Sequence, residues 1–243
     1  GIDSLIDQAD DLENVEFVFR FDEDDVDTID ELRKYYAGKN LNMKFLMGKR
    51  HSYIYMNKYW DECVTECNGE YVMTWTDDNE MHPNNSKGWD TTIRKFKNQF
   101  FILDIPDTTH PKWPSSTIFP RKLFEMLGNR LCPNLILDRW FIEILKENDI
   151  WIRLNKTMIH HHAWAGKGPR DETFKEGRHT WDSLNSIRHT MDSNGYEWKH
   201  FDRNDFDIVK NYLKDNPNTK TFETDKTYYG KPLSNKGKRF WTP

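Results

Sequence analysis

Segments of strand-like and helix-like polarity alternate along the first half of the chain. Apolar and aromatic residues dominate residues 15–21, 43–47 and 71–75, as they do in packed β-strands. Between these strands, Asp27 or Thr28 can cap a helix that runs to about residue 37 and ends at Gly38, and apolar positions recur at helical spacing over residues 56–67. Strands that alternate with helices of this length predict an α/β fold, in which a mostly parallel sheet is flanked by helices.

The second half of the chain changes in character near residue 166. Before that point the pattern predicts three more strands and two more helices, at residues 100–105, 150–154, 157–161, 120–127 and 138–146. After it, helical spacing recurs at residues 181–191 and 206–213, and a lysine-rich tail ends the chain. We therefore predict a core over residues 1–165 and a helical C-terminal extension with a basic tail over residues 166–243.

Composition fits a globular protein with one large domain, or one domain and an appendage. The chain has 243 residues, of which 36% are hydrophobic and 31% are charged. No stretch approaches the roughly 20 apolar residues of a membrane span, and the start lacks the pattern of a signal peptide. Three cysteines do not make a disulfide framework, and a net charge of −5 argues against a nucleic-acid partner. These features predict a cytoplasmic protein with no transmembrane segment and no nucleic-acid partner.

Acidic residues cluster directly after two of the predicted strands. Residues 22–25 follow the first strand, and Asp77, Asp78 and Glu80 follow the third. Either cluster alone is also typical of a solvated loop. Ligands gather at the carboxyl ends of strands in open α/β sheets, so two clusters on neighbouring strands of one sheet favour a ligand site. Close carboxylates repel one another unless a cation balances them, which favours a divalent metal with a phosphorylated substrate.

Phosphate recognition in this chain does not rest on a glycine-rich loop, because neither the dinucleotide-binding motif nor the P-loop motif is present. Lys49 and Arg50 follow the second predicted strand and are candidates to neutralise phosphate groups. A solvated basic turn is an equal alternative for this pair.

The order of these segments resembles that of an inverting glycosyltransferase of family two, which has the GT-A fold. The resemblance covers roughly residues 3–165 and is carried, in order, by residues 15–25, Asn57, residues 68–71, Thr76-Asp77-Asp78, residues 117–128 and residues 137–141. It implies a Rossmann-like catalytic core. The implied reaction moves a sugar from a nucleoside-diphosphate sugar to a hydroxyl group of a glycan or another acceptor, with inversion.

The resemblance also implies roles for individual residues. Asp22 would contact the nucleoside, and together with Arg50 and Asp77 it would bind the nucleotide sugar. Asp78 would hold Mn²⁺ or Mg²⁺, which bind oxygen ligands and bridge carboxylates to a diphosphate. Asp138 would be the catalytic base that takes the proton of the acceptor hydroxyl. From the residues alone, a helix N-cap is the preferred interpretation of Asp138.

The chain departs from the family pattern in three respects. Thr76 occupies the position of the first aspartate of the Asp-x-Asp motif, which leaves Asp78 as the main metal ligand with Asp77 nearby. Leu137 replaces the first member of the acidic pair that ends in the catalytic base. The strand and loop that precede the first helix in the family, and that help to hold the nucleotide, are not found in this sequence.

Three consecutive histidines end the last predicted strand of the core. Because strand side chains alternate, His160 and His162 share one face and His161 takes the other. Imidazole binds Mn²⁺ and Zn²⁺, and a late histidine completes the metal site in several GT-A enzymes, which favours His162 as a second metal ligand. Structural histidines are an equal alternative. A three-histidine zinc site of a metallohydrolase has no supporting motif such as His-Glu-x-x-His.

Two other functions are compatible with the same residues. A metal-dependent nucleotidyltransferase or phosphohydrolase also places carboxylates and histidines at strand ends. A catalytically inactive carbohydrate-binding relative would account for Thr76 and for the first strand that is not found.

Overall fold

The structure is a computed structural model, and it describes residues 1–51, 56–108, 116–132, 150–161 and 203–220, together with residues 137, 140, 141, 144, 148 and 175. After α1 (Ile2–Gln8), the α-helices and strands follow the predicted alternation: β1 (Glu16–Asp22), α2 (Val26–Tyr36), β2 (Asn42–Gly48) and α3 (Met56–Glu66). β1 and β2 are parallel, with Asp22 opposite Gly48 at their ends. The carboxyl ends of the two strands therefore lie side by side, next to the residues that follow β2.

Nine further α-helices and β-strands have described bounds. They are β3 (Tyr71–Met73), β4 (Asn79–Met81), α4 (Trp89–Arg94), β5 (Ile102–Ile105), β6 (Ser116–Pro120), α5 (Arg121–Met126), β7 (Trp151–Arg153), β8 (Met158–His160) and α6 (Arg203–Asp215). The strands predicted at residues 71–75, 100–105, 150–154 and 157–161 are confirmed, each with shorter bounds. The helix predicted at residues 206–213 is confirmed and begins earlier.

The central sheet has the strand order β3-β6-β5-β7. β6 is antiparallel to β3 and to β5, whereas β5 and β7 are parallel; β4 and β8 form a separate antiparallel pair. The predicted α/β class is confirmed, and the central sheet is mixed because β6 enters between β3 and β5. The sequence pattern did not reveal β6, since this short strand begins with Ser116 and Thr117 and ends at Pro120, residue types that are also typical of a loop.

β1 and β3 do not share a hydrogen-bonded sheet in the described residues, contrary to the expectation that they are neighbours in one sheet. A side-chain clamp joins the starts of the two strands instead. The carboxylate of Glu16 accepts the backbone N–H of Asn68 at 2.7 Å and a side-chain N–H of the same residue at 3.0 Å. The two sheets are thus tied to each other at the end opposite the acidic clusters.

The core is centred on β5 and β6, in which all residues are buried. Residues 137, 140, 141, 144 and 148 are helical and buried, in agreement with the helix predicted at residues 138–146. The ring of Phe141 lies 5.2 Å from that of Phe119 on β6. This contact packs the predicted helix directly on the central sheet.

The C-terminal helix α6 packs on the same core. Its apolar face contributes Phe206, Val209 and Leu213 to the buried cluster. The predicted boundary at residues 165–166 and the helix predicted at residues 181–191 lie outside the described residues, so the division into core and extension stays a prediction. Among the described helices, none has both the length and the apolar character needed to cross a membrane.

A buried carboxylate fixes the start of α6. Asp205 is fully buried and accepts two hydrogen bonds from the guanidinium of Arg130, at 2.7 and 3.2 Å. The indole N–H of Trp140 donates to the same carboxylate at 3.3 Å. One charge on α6 is therefore bound from two other segments of the chain.

We predict that Asp205→Asn lowers the free energy of unfolding by about 1–3 kcal/mol, because it removes the charge that satisfies Arg130 and Trp140. Urea denaturation measures this change. Asp207→Asn, an exposed change two residues further along α6, is the matched control and should stay within about 0.5 kcal/mol of the wild type. Equal effects of the two substitutions would contradict the anchoring role of Asp205.

Candidate functional site

The turn between β3 and β4 carries the central acidic motif. The backbone N–H of Thr74 still donates to Thr117 of β6 at 3.1 Å, and the N–H of Asn79 then donates to the carbonyl oxygen of Thr76 at 3.2 Å. Thr76 and Asp77 are exposed, whereas Asp78 is half-buried. The central sheet therefore ends at a short turn whose tip is formed by the predicted motif.

The pairing of β4 with β8 brings a histidine to this turn. Asn79 lies opposite His160 in the antiparallel ladder. Nε2 of His160 is 2.9 Å from Oδ2 of Asp78, and its Nδ1 is 3.6 Å from Oδ2 of the fully buried Asp107. We call these three side chains, Asp78, His160 and Asp107, the acid–histidine group.

The second histidine of the run meets a different carboxylate. Nε2 of His161 lies 2.9 Å from Oε2 of Glu80, and the backbone N–H of His161 donates to the carbonyl oxygen of Asp78 at 2.8 Å. The predicted alternation of His160 and His161 is therefore seen in their separate partners. His162, the histidine favoured as a metal ligand, lies outside the described residues.

Charge controls the ionisation of His160. Burial alone would lower the pKa of its imidazole, but the hydrogen bond and negative charge of Asp78, with the added charge of Asp107, raise that pKa above its usual value of 6.5. The pair of carboxylates therefore stabilises a positive imidazole between β4 and the end of β5.

A second group forms where β1 and β2 end. The side chain of Arg20 is only 3% exposed, and its guanidinium binds Oδ1 of Asp22. Its Nε donates to Glu62 of α3 at 2.7 Å, and it also donates to the carbonyl oxygen of Lys49. Cζ of Arg20 lies 4.4 Å from the centre of the Tyr59 ring, over its face. The hydroxyl of Tyr59 is 3.2 Å from Oδ1 of Asp22. We call Arg20, Asp22, Tyr59 and Glu62 the β1–α3 group.

Arg50 lies on the outer side of this group. Its Nη1 is 3.5 Å from Oδ2 of Asp22, and its Nη2 is 3.1 Å from Oδ1 of Asp24. Asp22 and Arg50, both predicted to bind the nucleotide sugar, are thus brought together by the parallel pairing of β1 and β2. Asp77 lies at the exposed tip of the other turn.

The predicted catalytic base and the predicted metal ligands are only partly within the described residues. Asp138, the predicted base, lies outside the described residues, between Leu137 and Trp140, which are both buried. Among the described residues, no three or more His, Cys, Asp or Glu side chains are arranged so that they could hold a metal ion. The predicted pair of metal ligands, Asp78 and His162, therefore stays a prediction.

Sequence reasoning missed Arg20, Tyr59, Glu62 and Asp107 as parts of these groups. Arg20 carried a usable signal, because it is the one charged residue inside the aromatic run of residues 17–21. A charge in such a strand needs a partner. The partner itself, Glu62, is 42 residues away and has no local signature.

The raised pKa of His160 predicts a pH-dependent contribution to stability. Because the native pKa exceeds the ordinary value of 6.5, the imidazolium stabilises the fold fully below pH 6.5, and this contribution is lost as the pH rises through the native pKa. The difference in unfolding free energy between the wild type and His160→Gln should therefore be largest at acidic pH. Urea denaturation at a series of pH values measures it. In an Asp78→Asn background the pH dependence should shrink, and an unchanged profile there would show that Asp78 is not its cause.

Similarity to known proteins is found among solved structures. No protein-family model matches the chain, and no curated protein matches it. Among solved structures, the chain is similar to TarS 1–349 of S. aureus in complex with UDP-GlcNAc, with a TM-score of 0.45 and 17% identity, covering 58% of this chain and 46% of that chain. For TarS 1–349 in complex with UDP, the TM-score is 0.47 and the identity 15%, covering 65% of this chain and 52% of that chain. This chain therefore spans about half the length of the TarS chains.

Proposed function

We propose that this protein is a metal-dependent glycosyltransferase that moves a sugar from a nucleoside-diphosphate sugar to a hydroxyl acceptor with inversion. The supporting observation is the placement of two carboxylates, one predicted to bind the nucleoside and the other predicted to bind the metal. Asp22 ends β1 beside Arg50, and Asp78 lies in the turn after β3 beside His160. Asp22 thus ends one strand and Asp78 follows another, and each has a basic side chain within 4 Å. Ligands gather at such strand ends in open α/β sheets.

The β1–α3 group is suited to hold a nucleotide. Arg20 and the hydroxyl of Tyr59 contact Oδ1 of Asp22, which fixes the carboxylate while its Oδ2 faces Arg50. A carboxylate held in this way accepts hydrogen bonds from a ribose or a base. The guanidinium of Arg50 is 66% exposed and offers paired donors to phosphate oxygens. We assign nucleoside binding to Asp22 and diphosphate binding to Arg50, and we also assign Asp77, in the turn after β3, to donor binding.

Asp78 has the chemistry of a metal ligand. Its Oδ1 accepts the hydroxyl hydrogen of Thr76 at 2.5 Å, and its Oδ2 faces His160 at 2.9 Å. These contacts orient the carboxylate, whose oxygens are the ligand type that Mg²⁺ and Mn²⁺ prefer. Thr76, which stands where the family has an aspartate, then acts by holding Asp78.

Asp78 and His162 would hold Mn²⁺ or Mg²⁺, because a carboxylate and an imidazole form a suitable donor set for these ions. When bound, the cation would offset the negative charge that develops on the departing nucleoside diphosphate. Other residues of the chain bind the donor and hold the site in position. Asp22 and Arg50 bind and orient the donor, and the buried Asp107 keeps the imidazole of His160 in place beside Asp78.

We assign the base role to Asp138. Its carboxylate would take the proton of the acceptor hydroxyl as that oxygen attacks the anomeric carbon from the face opposite the diphosphate. The bond from the anomeric carbon to the acceptor oxygen forms, and the bond from this carbon to the diphosphate oxygen breaks. One attack from the opposite face gives an inverted product.

Product analysis with UDP-, GDP-, CDP- and dTDP-sugars, with and without Mn²⁺, tests this proposal. We expect metal-dependent release of a nucleoside diphosphate together with a glycoside or free sugar. Cleavage between the two phosphates, which releases a sugar phosphate, would instead indicate a nucleotidyltransferase or phosphohydrolase. Metal-dependent nucleotide binding without any turnover would indicate an inactive relative.

Asp138→Asn should lower kcat by roughly 10²–10⁴-fold, because an amide cannot accept the proton of the hydroxyl group. Donor affinity should stay within twofold of the wild type, since Asp138 is not assigned to donor binding. Asp30→Asn, in an exposed pair with Arg33 on α2, is the matched control and should keep full turnover. Full turnover in Asp138→Asn would rule out the assigned base.

A further inference from the structure

The ion pair of Arg50 with Asp24 lies at the place where the diphosphate of the donor would bind. Nη2 of Arg50 donates to both oxygens of Asp24, at 3.1 and 3.2 Å. The side chains of Arg50 and Asp24 are 66% and 62% exposed. Asp24 therefore uses the donors that Arg50 would offer to a phosphate.

Asp22 holds Arg50 less closely than Asp24 does. The charge of Asp22 is already balanced by the buried guanidinium of Arg20, and its distance to Arg50 is 3.5 Å. Asp24 lies two residues further along, beyond the end of β1, where its carboxylate reaches the outer edge of the guanidinium. Asp22 can thus keep its assigned role when Arg50 turns away, whereas Asp24 loses its partner.

Both members of the pair are charged at neutral pH. The hydrogen bond from Arg50 lowers the pKa of the Asp24 carboxyl, and the same contact raises the pKa of Arg50. An anion that takes the guanidinium must therefore displace a full negative charge.

We propose that Asp24 competes with the diphosphate of the donor for Arg50, so that Asp24 sets the affinity of this site for phosphorylated ligands. This inference rests on the proposed function, in which Arg50 binds the diphosphate. In the free protein the guanidinium pairs with Asp24. In the complex it pairs with phosphate oxygens, and Asp24 turns to solvent.

The energetic effect of this competition is modest. Exposed ion pairs are weak and are screened by salt, so the pair with Asp24 lowers the affinity for a diphosphate only slightly. Removing the competing carboxylate should raise the affinity for a diphosphate about two- to fivefold at low ionic strength. A gain in affinity is informative, because damage to the fold would cause a loss.

The test is isothermal titration calorimetry of the full chain with inorganic diphosphate in the presence of Mn²⁺. This probe reports on phosphate binding without a choice of base or sugar. Asp24→Asn should bind about two- to fivefold more tightly than the wild type, and the gain should shrink as salt is added. Glu23→Gln is the matched control, since it removes the same charge from the adjacent exposed residue. It should change the affinity by less than about 1.5-fold.

A double-mutant cycle with Arg50→Gln completes the test. In that background Asp24→Asn should give no gain, because the competition needs the guanidinium. An equal gain in Glu23→Gln, or a gain that persists without Arg50, would show a general charge effect and would overturn the proposal. No binding of diphosphate by the wild type would also overturn it. The glycosyltransferase assignment is judged separately, by the product analysis.

Discussion

The insertion of β6 between β3 and β5 is the constraint on which the acid–histidine group depends. All residues of β6 are buried, and its hydrogen bonds fix the register of both neighbours. β3 is thereby directed into the turn that carries Asp78. β5 continues towards Asp107, which pairs with Met158 at the start of β8. Since β8 carries His160, one buried strand positions all three side chains.

A buried guanidinium has the corresponding role at the end of β1. Burying a charge is unfavourable unless it is paired and hydrogen-bonded, and Arg20 meets this need by binding β1, α3 and the residue after β2 at once. The carboxylate of Asp22 is held as a consequence. Both groups thus follow one physical scheme, in which a basic side chain orients a carboxylate at the end of a strand. The two arginines that contact Asp22 differ in exposure, since the side chain of Arg50 is accessible to a ligand whereas that of Arg20 is buried.

The sequence predicted those parts of the fold in which polarity follows a regular period. β1 and β2 were found from runs of apolar and aromatic residues, and α3 and α6 from apolar residues at helical spacing. β6 was missed because Ser116, Thr117 and Pro120 within it are typical of a loop, and β4 because the acidic run beside it is typical of a loop too. In the site, Asp22 and Arg50 could be paired from strand order alone. The contact of His160 with Asp78 could not, because it depends on the register of two strands that are 77 residues apart in the chain.

The central claim is that the ends of β1 and β3 form one donor site with a metal at Asp78. Paramagnetic relaxation by Mn²⁺, measured on backbone amide signals in the presence of a nucleoside diphosphate, tests it most directly. The account predicts the strongest broadening at residues 77–79, extending to residues 22–25 only when the nucleotide is present. Broadening centred on any other segment, or none at all in the presence of both ligands, would contradict it.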